Sequence, residues 1–206
     1  MSEEQEEKLL SFLQYDTVYQ KYYDDVLILL KTGLRISELC GLTVQDLDFE
    51  NHTLNIDHQL LRNQEGYYIE TPKTKCGIRK SSYERRSRKS ISKSVETQKK
   101  TGKGIVIDGY RNFLFLNQKG MPMTACYYTS TLRNIVKKYN KYHDESLPKI
   151  TPHILRHTFC TRLAQKNMNP KNLQYIMGHS SIMITLNLYA HASQTGANME
   201  MRSLIA

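Results

Sequence analysis

The sequence predicts an α+β fold that is mostly helical and contains a small antiparallel β-sheet or hairpin. Apolar residues have helical spacing near the N-terminus, where Val26 to Leu30 form a dense cluster. Residues 53–70 have a period of two, which is typical of strands. Helix-start signals recur in the last 90 or so residues, at Thr124, Thr151-Pro152, Asn169-Pro170 and Ser181. Helical regions are therefore expected on both sides of one strand-rich segment.

Two helices are predicted before the strands. Residues from about 4 to 31 have helical periodicity, and Gly33 is a natural stop after the last turn. Residues 35–42 predict a short second helix. Thr43 and Asp46 then stand at the two ends of a capping box, with Asp in place of the usual Glu.

The predicted sheet lies in the middle of the chain. Residues 66–70 offer a return strand for the alternating segment that begins at Thr53. Residues 113–116 (FLFL) predict a short buried strand or an extended stretch. Four residues of the first strand region alternate with polar neighbours: Leu54, Ile56, His58 and Leu60.

The C-terminal half predicts helices again. One helix follows a Thr124 cap and ends near residue 141, and another has Pro152 at its first position. A third runs from Pro170 to Gly178, because glycine commonly ends helices. Ser181 caps a last helix, which we expect to carry Tyr189.

Residues 80–100 stand apart from the rest of the chain. They fit neither the helical nor the strand period and contain almost no apolar residue. By composition this segment predicts a solvated basic loop.

Composition sets the class of protein and its expected partner. The 206 residues are 39% hydrophobic and carry a net charge of +9, which favours a folded protein with a polyanionic partner. No apolar run approaches the roughly 20 residues of a membrane-spanning helix, and the acidic start lacks the order of a signal peptide. A cytoplasmic protein without membrane contact is therefore expected. The four scattered cysteines predict reduced, mostly buried thiols, not a metal or disulfide framework.

The residues that could carry chemistry are individually weak signals. Arg35 could be an ordinary residue at a helix start, and His179 could only cap a helix. His153, Arg156 and His157 share one helical face, but no third ligand accompanies the two histidines. Tyr189 is one of 14 tyrosines, and alone it indicates packing.

Together and in order, these residues resemble the signature of the tyrosine recombinases, the phage integrase family. Residues 32–39 (TGLRISEL) look like the first arginine box of the family, and residues 153–157 (HILRH) look like the second. Residues 177–180 (MGHS), followed by Thr185 and Tyr189, look like the third. The resemblance covers residues 20–195 and is strongest to the integrases of conjugative transposons.

The resemblance implies a role for each residue. Arg35 and Arg156 would clamp the scissile phosphate with permanently charged, forked donors, which lysine cannot reproduce. Tyr189 would be the nucleophile, and since its ordinary pKa is about 10 it needs a base or a positive pocket. His153 is the candidate base and, on reversal, the acid. His179 would donate a hydrogen bond to the phosphate.

A lysine on the hairpin between the first two boxes is expected to protonate the departing 5′ oxygen. The candidates are Lys73 and Lys75. Lys75, four residues before Arg79, is favoured because the resemblance to the phage integrases implies a lysine-threonine-glycine turn there. His157 is expected to support its helix, and Glu38 or Asp46 to orient the arginines. The product would be a 3′-phosphotyrosine, which conserves the energy of the broken bond, so no cofactor and no metal are implied.

The resemblance also implies partners. These are double-stranded DNA attachment sites, further copies of the chain in a dimer to tetramer on DNA, and an excisionase or DNA-bending accessory proteins. Two alternative functions are DNA relaxation like that of type IB topoisomerases and non-catalytic DNA binding by the same fold. The compact third box argues against the first alternative, and the full set of catalytic residues argues against the second.

The domain organisation follows from the same resemblance. Residues 1–193 are expected to form the catalytic domain, and residues 194–206 a tail that packs on a neighbouring subunit or folds back on its own domain. The N-terminal core-binding domain of the family is missing, so a fragment that binds DNA weakly is expected. The apolar residues of the tail are Met199, Met201, Leu204 and Ile205.

The stretch after the hairpin departs from the family pattern, and two interpretations of residues 80–98 are open. One is a basic loop that lies on DNA phosphates. The other is translation out of frame. With suitable codons for residues 83–96, reading one base later gives Met-Ser-Glu-Glu-Val-Ala-Lys-Ala-Phe-Gln-Arg-Ala-Leu-Lys, which has a cap and helical periodicity. In that case the basic residues of the segment play no part in DNA binding: Arg85, Arg86, Arg88, Lys89 and Lys93.

Overall fold

The computed structural model describes residues 1–72, 75–101, 104–189 and Met201, without the side chains of residues 75, 85 and 86. This part of the chain is mostly helical with two small antiparallel sheets, which confirms the α+β class. Its helices are α1 (Glu3–Tyr15), α2 (Tyr23–Thr32), α3 (Ile36–Gly41), α4 (Arg85–Thr101), α5 (Ala125–Tyr142), α6 (Pro152–Gln165), α7 (Pro170–Met177) and α8 (Ile182–Leu186). Its strands are β1 (Leu47–Asp48), β2 (Thr53–Ile56), β3 (Gln59–Arg62), β4 (Tyr67–Glu70) and β5 (Arg79–Ser82).

The N-terminal helical region is broken, and the prediction of one helix from about 4 to 31 was wrong. Helix α1 ends at Tyr15 because Asp16 turns the chain. Its Oδ1 accepts hydrogen bonds from the backbone N–H groups of Val18 (2.9 Å) and Tyr19 (2.8 Å), an arrangement that competes with the helix. Helix α2 then ends at Gly33, as predicted.

The strand region is divided in two. Strands β3 and β4 form the predicted hairpin, with Leu60 opposite Ile69, while β2 pairs with β1 and β5. His58 lies between β2 and β3, and its ring nitrogens bond the Asp57 carboxylate (2.6 Å) and the Gly41 carbonyl oxygen (2.8 Å). The predicted alternation is confirmed, because four residues are buried: Leu54, Ile56, His58 and Leu60.

The C-terminal helices begin at the predicted caps. Side-chain oxygens of Thr124, Thr151 and Asn169 accept backbone N–H bonds at the starts of α5, α6 and α7. Ser181 caps α8 in the same way. Helix α8 ends at Leu186, however, so Tyr189 lies beyond the helix that was expected to carry it.

The prediction of a basic loop at residues 80–100 was wrong, since this segment contains the end of β5 and all but the last residue of α4. Helix α4 packs against α2. Its inward positions recur with helical spacing, but serine occupies half of those described. The buried residues are Ser87, Ser90, Ile91, Ser94, Val95 and Gln98.

This burial pattern bears on the out-of-frame interpretation. The alternative reading frame would place valine, alanine, phenylalanine, alanine and leucine at the positions of Ser87, Ser90, Ile91, Ser94 and Val95. Each of these five positions would then be apolar, as expected for a helix that packs on a core. The interpretation stays a prediction, and the codons of residues 80–99 test it: other codons, or no compensating insertions and deletions at the two ends, would rule it out.

We expect Ser87→Ala to raise the free energy of unfolding by about 1 kcal/mol. Ser87 is fully buried, and no described residue lies within hydrogen-bonding distance of its Oγ. Replacement removes an unsatisfied polar group and introduces a better helix former. Ser90, one turn later, is the matched control, because its Oγ donates a 2.7 Å hydrogen bond to Asp24. Urea denaturation should show that Ser90→Ala destabilises the protein, and equal effects of the two changes would contradict the argument.

The core has two parts. The larger cluster joins α1, α2, α3, α5 and the sheets, and a smaller one lies between α6 and α7 around Cys160, Leu173 and Met177. Cys76 and Cys126 are exposed, so only two of the four thiols are buried as expected. In the part of the chain described, none of the helices has the length and apolar character needed to cross a membrane.

Candidate active site

A pocket of about 440 Å³ opens between the start of α3, the first turns of α6 and the turn that joins α7 to α8. Four of the predicted site residues contribute to its wall, although they come from three distant parts of the sequence. The lining residues are Arg35, Ile36, Ser37, Pro152, His153, Arg156, His179 and Ile184.

Arg156 is buried under this pocket with only 6% of its surface exposed. Its Nη1 donates a 2.6 Å hydrogen bond to the carbonyl oxygen of Gly33, and its Nη2 donates to that of Met177. These carbonyls belong to the C-terminal ends of α2 and α7, where the helix dipole is negative. Burial lowers the pKa of Arg156 to about 10, which leaves it charged at neutral pH. Each terminal nitrogen keeps a second N–H for a ligand.

The two helix ends that hold Arg156 depend on glycine. Gly33 and Gly178 have φ angles of +65° and +60°, in the left-handed region. A Cβ on Gly33 would also lie 2.3 Å from Cδ1 of Phe159 on α6. Glycine at this position therefore allows α6 to approach the end of α2 closely enough for Arg156 to reach it.

Arg35 extends into the pocket with 38% of its side chain exposed. Its Nη1 donates to Glu38 Oε1 at 2.7 Å, and its Nη2 donates to the carbonyl oxygen of Gly178 at 2.8 Å. Glu38 is buried, which by itself would raise the pKa of its carboxyl. Hydrogen bonds from Arg79 and the charges of Arg79 and Arg35 outweigh that effect and hold the pKa below its ordinary value. Glu38 therefore orients Arg35, as the sequence suggested.

His179 follows the end of α7 and faces the same pocket. Its Nδ1 is 3.0 Å from Thr185 Oγ1, which leaves Nε2 as the nitrogen available to a phosphate. Burial and the neighbouring charges of Arg156 and Arg35 lower the pKa of His179 to about 4. The ring is therefore neutral at neutral pH and can donate from one nitrogen only.

This lowered pKa predicts a pH-dependent stability. Between about 4 and its ordinary value of 6.5, His179 binds a proton in the unfolded chain but not in the folded one. The free energy of unfolding should therefore fall as the pH falls through this window, by about 1 kcal/mol after allowance for solvent screening of a half-buried ring. Urea denaturation at pH 7 and pH 5 measures this fall in the free energy of unfolding, which should be smaller in the His179→Gln variant than in the parent chain. Equal losses in both proteins would contradict the assignment.

The two histidines of α6 have different surroundings. His153, in the first turn, is exposed and lines the pocket, where it can exchange a proton with a reacting oxygen. His157 instead bonds Thr161 on its own helix, with 3.2 Å between Nδ1 and Oγ1. Burial and the neighbouring His153 lower the pKa of His157. His157 thus has the supporting contact that was expected of it.

Tyr189 is not brought to the pocket wall. Its hydroxyl donates a hydrogen bond to the carbonyl oxygen of Met168, and its ring packs on the small cluster of Cys160, Leu173 and Met177. Burial raises the pKa of Tyr189. The described arrangement therefore brings Arg35, Arg156 and His179 together and holds the tyrosine hydroxyl apart from them.

The remaining predicted residues have mixed outcomes. Lys73 lies outside the described residues, as does the side chain of Lys75, whose backbone begins a short 3₁₀ turn to Gly77. The expectation that Asp46 orients an arginine was wrong. Asp46 Oδ2 accepts hydrogen bonds from Thr43 N (2.8 Å) and Thr43 Oγ1 (2.7 Å), so it closes the predicted capping box instead.

Sequence reasoning missed Arg79, which is buried behind Arg35 and contacts Glu38. Its only local signal is its place after Gly77-Ile78, at the head of a basic run. One group among the described residues has the spacing of metal ligands: Asp46, Asp57 and His58. Hydrogen bonds to Gly41, Asp57 and Thr43 already occupy these side chains, and none of the three lines the pocket.

Comparison with known proteins gives consistent matches. The model of the phage integrase family matches residues 1–195. The transposase of transposon Tn916 from Enterococcus faecalis is 57% identical over 205 residues, which are 99% of this chain and 50% of that protein. Tyrosine recombinase XerC of Bacillus subtilis is 30% identical over 170 residues, 81% of this chain and 48% of that protein. The chain thus spans about half the length of these relatives.

Solved structures give the same picture. The Tn1549 transposon integrase in complex with a circular intermediate DNA is 56% identical, with a TM-score of 0.94, over 99% of this chain and 65% of that one. The catalytic domain of bacteriophage HP1 integrase has a TM-score of 0.57 at 20% identity, over 98% of this chain and 92% of that one. The second match shows the shared fold alone.

Proposed function

The chain belongs to the phage integrase family of tyrosine recombinases, and from that premise we propose that it is the catalytic part of a site-specific DNA recombinase. Its substrates are double-stranded attachment sites, and its reaction integrates and excises a mobile element of the conjugative transposon kind. Solved complexes of the Tn1549 integrase with circular intermediate DNA and with transposon end DNA support this choice of substrate.

The observation that carries the proposal is the convergence of Arg35, Arg156 and His179 on one pocket with His153 at its rim. Two guanidinium groups and a neutral imidazole provide several N–H donors directed at one small volume. Such preorganised donors stabilise the charge that accumulates on phosphate oxygens during attack, and each is worth several kcal/mol.

Two variants of the solved relative support the assignment of residues. One complex carries an arginine-to-lysine change and another a tyrosine-to-phenylalanine change. Those two positions are separated by as many residues as Arg35 and Tyr189 are here. The equal spacing favours Arg35 as a clamp residue and Tyr189 as the nucleophile.

Cleavage then requires Tyr189 to leave the Met168 carbonyl and enter the pocket. His153 accepts the phenolic proton as the tyrosine oxygen forms a bond to phosphorus. The bond from phosphorus to the 5′ oxygen breaks, and Lys75 or Lys73 of the hairpin gives that oxygen a proton. The 3′-phosphotyrosine keeps the bond energy, and attack by another 5′ hydroxyl reverses each step on a new strand.

Assembly on DNA is part of the same proposal. Copies of the chain act as a dimer to tetramer on paired sites, with residues 194–206 docked on a neighbouring subunit, and an excisionase or DNA-bending proteins set the direction. The DNA substrate favours the bacterial cytoplasm, at the nucleoid, as the place of action. Deletion of residues 194–206 tests the docking, because unchanged assembly on DNA would refute it.

A covalent adduct tests the proposed reaction. The chain is incubated in chelator with nicked DNA duplexes whose sequence is the junction of the two ends of the mobile element that encodes it. After cleavage, the short fragment next to the nick diffuses away, so the covalent intermediate cannot religate and accumulates. We expect a denaturation-resistant adduct that Tyr189→Phe abolishes, while Tyr175→Phe, which changes an exposed tyrosine on α7, leaves it unchanged. Absence of an adduct, or an adduct with Tyr189→Phe, would refute the assignment.

A further inference from the structure

Resting on the proposed recombinase function, we infer that Arg79 is a positioning residue that fixes Arg35 through Glu38 and joins the turn Lys75–Gly77 to the phosphate clamp.

The contacts of Arg79 use most of its donors. Its side chain is completely buried, at the first residue of β5. Nε donates to the carbonyl oxygen of Ile176 at 2.7 Å, and Nη2 donates to Glu38 Oε2 at 2.9 Å. Nη1 donates to Glu38 Oε1 at 2.9 Å and to the carbonyl oxygen of Gly77 at 3.0 Å. Arg79 therefore binds the Glu38 carboxylate in a bidentate manner through Nη1 and Nη2, and the carbonyl oxygens of Ile176 and Gly77 hold its guanidinium in place.

Glu38 transmits this position to Arg35. Its Oε1 receives Nη1 of both Arg79 and Arg35, and its Oε2 receives Nη2 of Arg79 and the backbone N–H of Arg35 (2.8 Å). Each carboxylate oxygen is thus shared between the two arginines. A rotation of the Glu38 carboxylate would displace the Arg35 guanidinium from the pocket wall, and Arg79 is what prevents that rotation.

Charge gives Arg79 a second effect on the clamp. Arg35 and Arg79 flank the single carboxylate of Glu38, so the three groups keep one net positive charge. If Glu38 were the counter-ion of Arg35 alone, the pair would be neutral and would stabilise the extra negative charge of the attacked phosphate less strongly. Because Arg79 shares the carboxylate, Arg35 retains more of its charge for the ligand.

The turn Lys75–Gly77 meets the clamp at the same point. The 3₁₀ turn Lys75–Gly77 lies just before Arg79, and its Gly77 carbonyl accepts from the guanidinium. A Cβ on Gly178 would be 3.0 Å from both Arg79 Nη1 and the Cys76 carbonyl oxygen. The turn therefore packs directly on the loop that presents His179. Movement of Arg79 would shift this turn and the anchor of Arg35 together.

Single-turnover cleavage tests the positioning role. At saturating protein on the nicked duplex described above, we expect Arg79→Gln to lower the cleavage rate constant about a hundredfold, with DNA affinity within about threefold of the parent. Arg79→Lys keeps the charge but loses the fork, so it should recover no more than about a tenth of the parent rate. Lys80→Gln, at the next and exposed position, is the matched control and should cleave within about threefold of the parent.

A double-mutant cycle separates positioning from a general loss of structure. If Arg79 acts through Arg35, adding Arg79→Gln to the Arg35→Lys variant should lower its cleavage rate constant by less than about threefold. Multiplicative effects, unaltered cleavage by Arg79→Gln, or a loss of DNA affinity well beyond threefold would each overturn the inference. If Arg79→Gln does not fold, Arg79→Lys carries the same cycle. If the parent chain forms no adduct, the proposed function is refuted. If the parent chain forms an adduct at a rate that Arg79→Gln does not change, only the role of Arg79 is refuted.

Discussion

Replacement of Arg156 by lysine is expected to lower the single-turnover rate of DNA cleavage at least about a thousandfold. Arg156 spans the carbonyl oxygens of Gly33 and Met177 with separate nitrogens and keeps further N–H groups for the scissile phosphate. A lysine ammonium has three N–H groups on one atom, so it cannot bridge two helix ends and also reach a phosphate. The substitution keeps the charge and removes the geometry.

The measurement uses adduct formation at saturating protein, so that weaker DNA binding does not enter the rate. Arg162→Lys is the matched control, because Arg162 lies on the same helix but is paired with Glu6 away from the pocket. It should cleave within about threefold of the parent chain. A rate for Arg156→Lys above about a tenth of the parent rate would show that charge alone serves the clamp, and the argument from forked geometry would fail.

Local signals explain why most helices could be predicted from sequence. The caps at Thr124, Thr151 and Asn169 depend on residues within one turn of each other, and the structure has each of them. The clamp was predictable for a different reason. Arg35, Arg156 and His179 stand in sequence blocks that resemble a known family, whereas nothing in their separation along the chain shows that they meet.

Helix α4 could not be predicted because its burial arises from tertiary packing. Four of its six described inward positions are serine or glutamine, so the helical period is hidden from any pattern based on apolar residues. Only contact with α2 shows which face is inside. If the segment is translated out of frame, the failure has a simple physical basis: the residues present were not selected for the environment that surrounds them.

The orientation of Tyr189 could not be predicted from sequence either, because it also depends on tertiary contacts. The cluster that holds its ring combines residues of α6 and α7, and the carbonyl that holds its hydroxyl belongs to Met168 between them. Arg79 was hidden likewise, since its partners Glu38 and Ile176 lie far away in both directions along the chain.

Substitution of Glu38 by glutamine is expected to lower the free energy of unfolding by about 3–5 kcal/mol. Glu38 has 2% of its surface exposed and pairs with two arginines, one of which is completely buried. Glutamine has nearly the same shape but no charge, so Arg79 would remain in the interior without a counter-ion. The large penalty comes from that unpaired charge, and not from a lost contact area.

The pH dependence distinguishes this cause from poor packing. The folded pKa of Glu38 lies below its ordinary value because of its two arginine partners, so the unfolded chain takes up the proton first on acidification. The stability that Glu38 contributes is therefore complete above the ordinary carboxyl pKa and is lost as the pH falls through and below it. Urea denaturation from pH 7 to pH 4 should show a smaller decline for Glu38→Gln than for the parent chain.

Glu145→Gln is the matched control for this effect. Glu145 also pairs with a basic residue, Lys8, but it is on the surface, where an ion pair contributes little to stability. A small change in unfolding free energy is expected there. If Glu38→Gln were equally mild, an Arg79 without a counter-ion would not be costly at this position, and the argument from buried charge would fail. The Arg35–Glu38–Arg79 group would then serve to hold Arg35 in the direction of the phosphate without adding to stability, and its effect would appear in the cleavage rate alone.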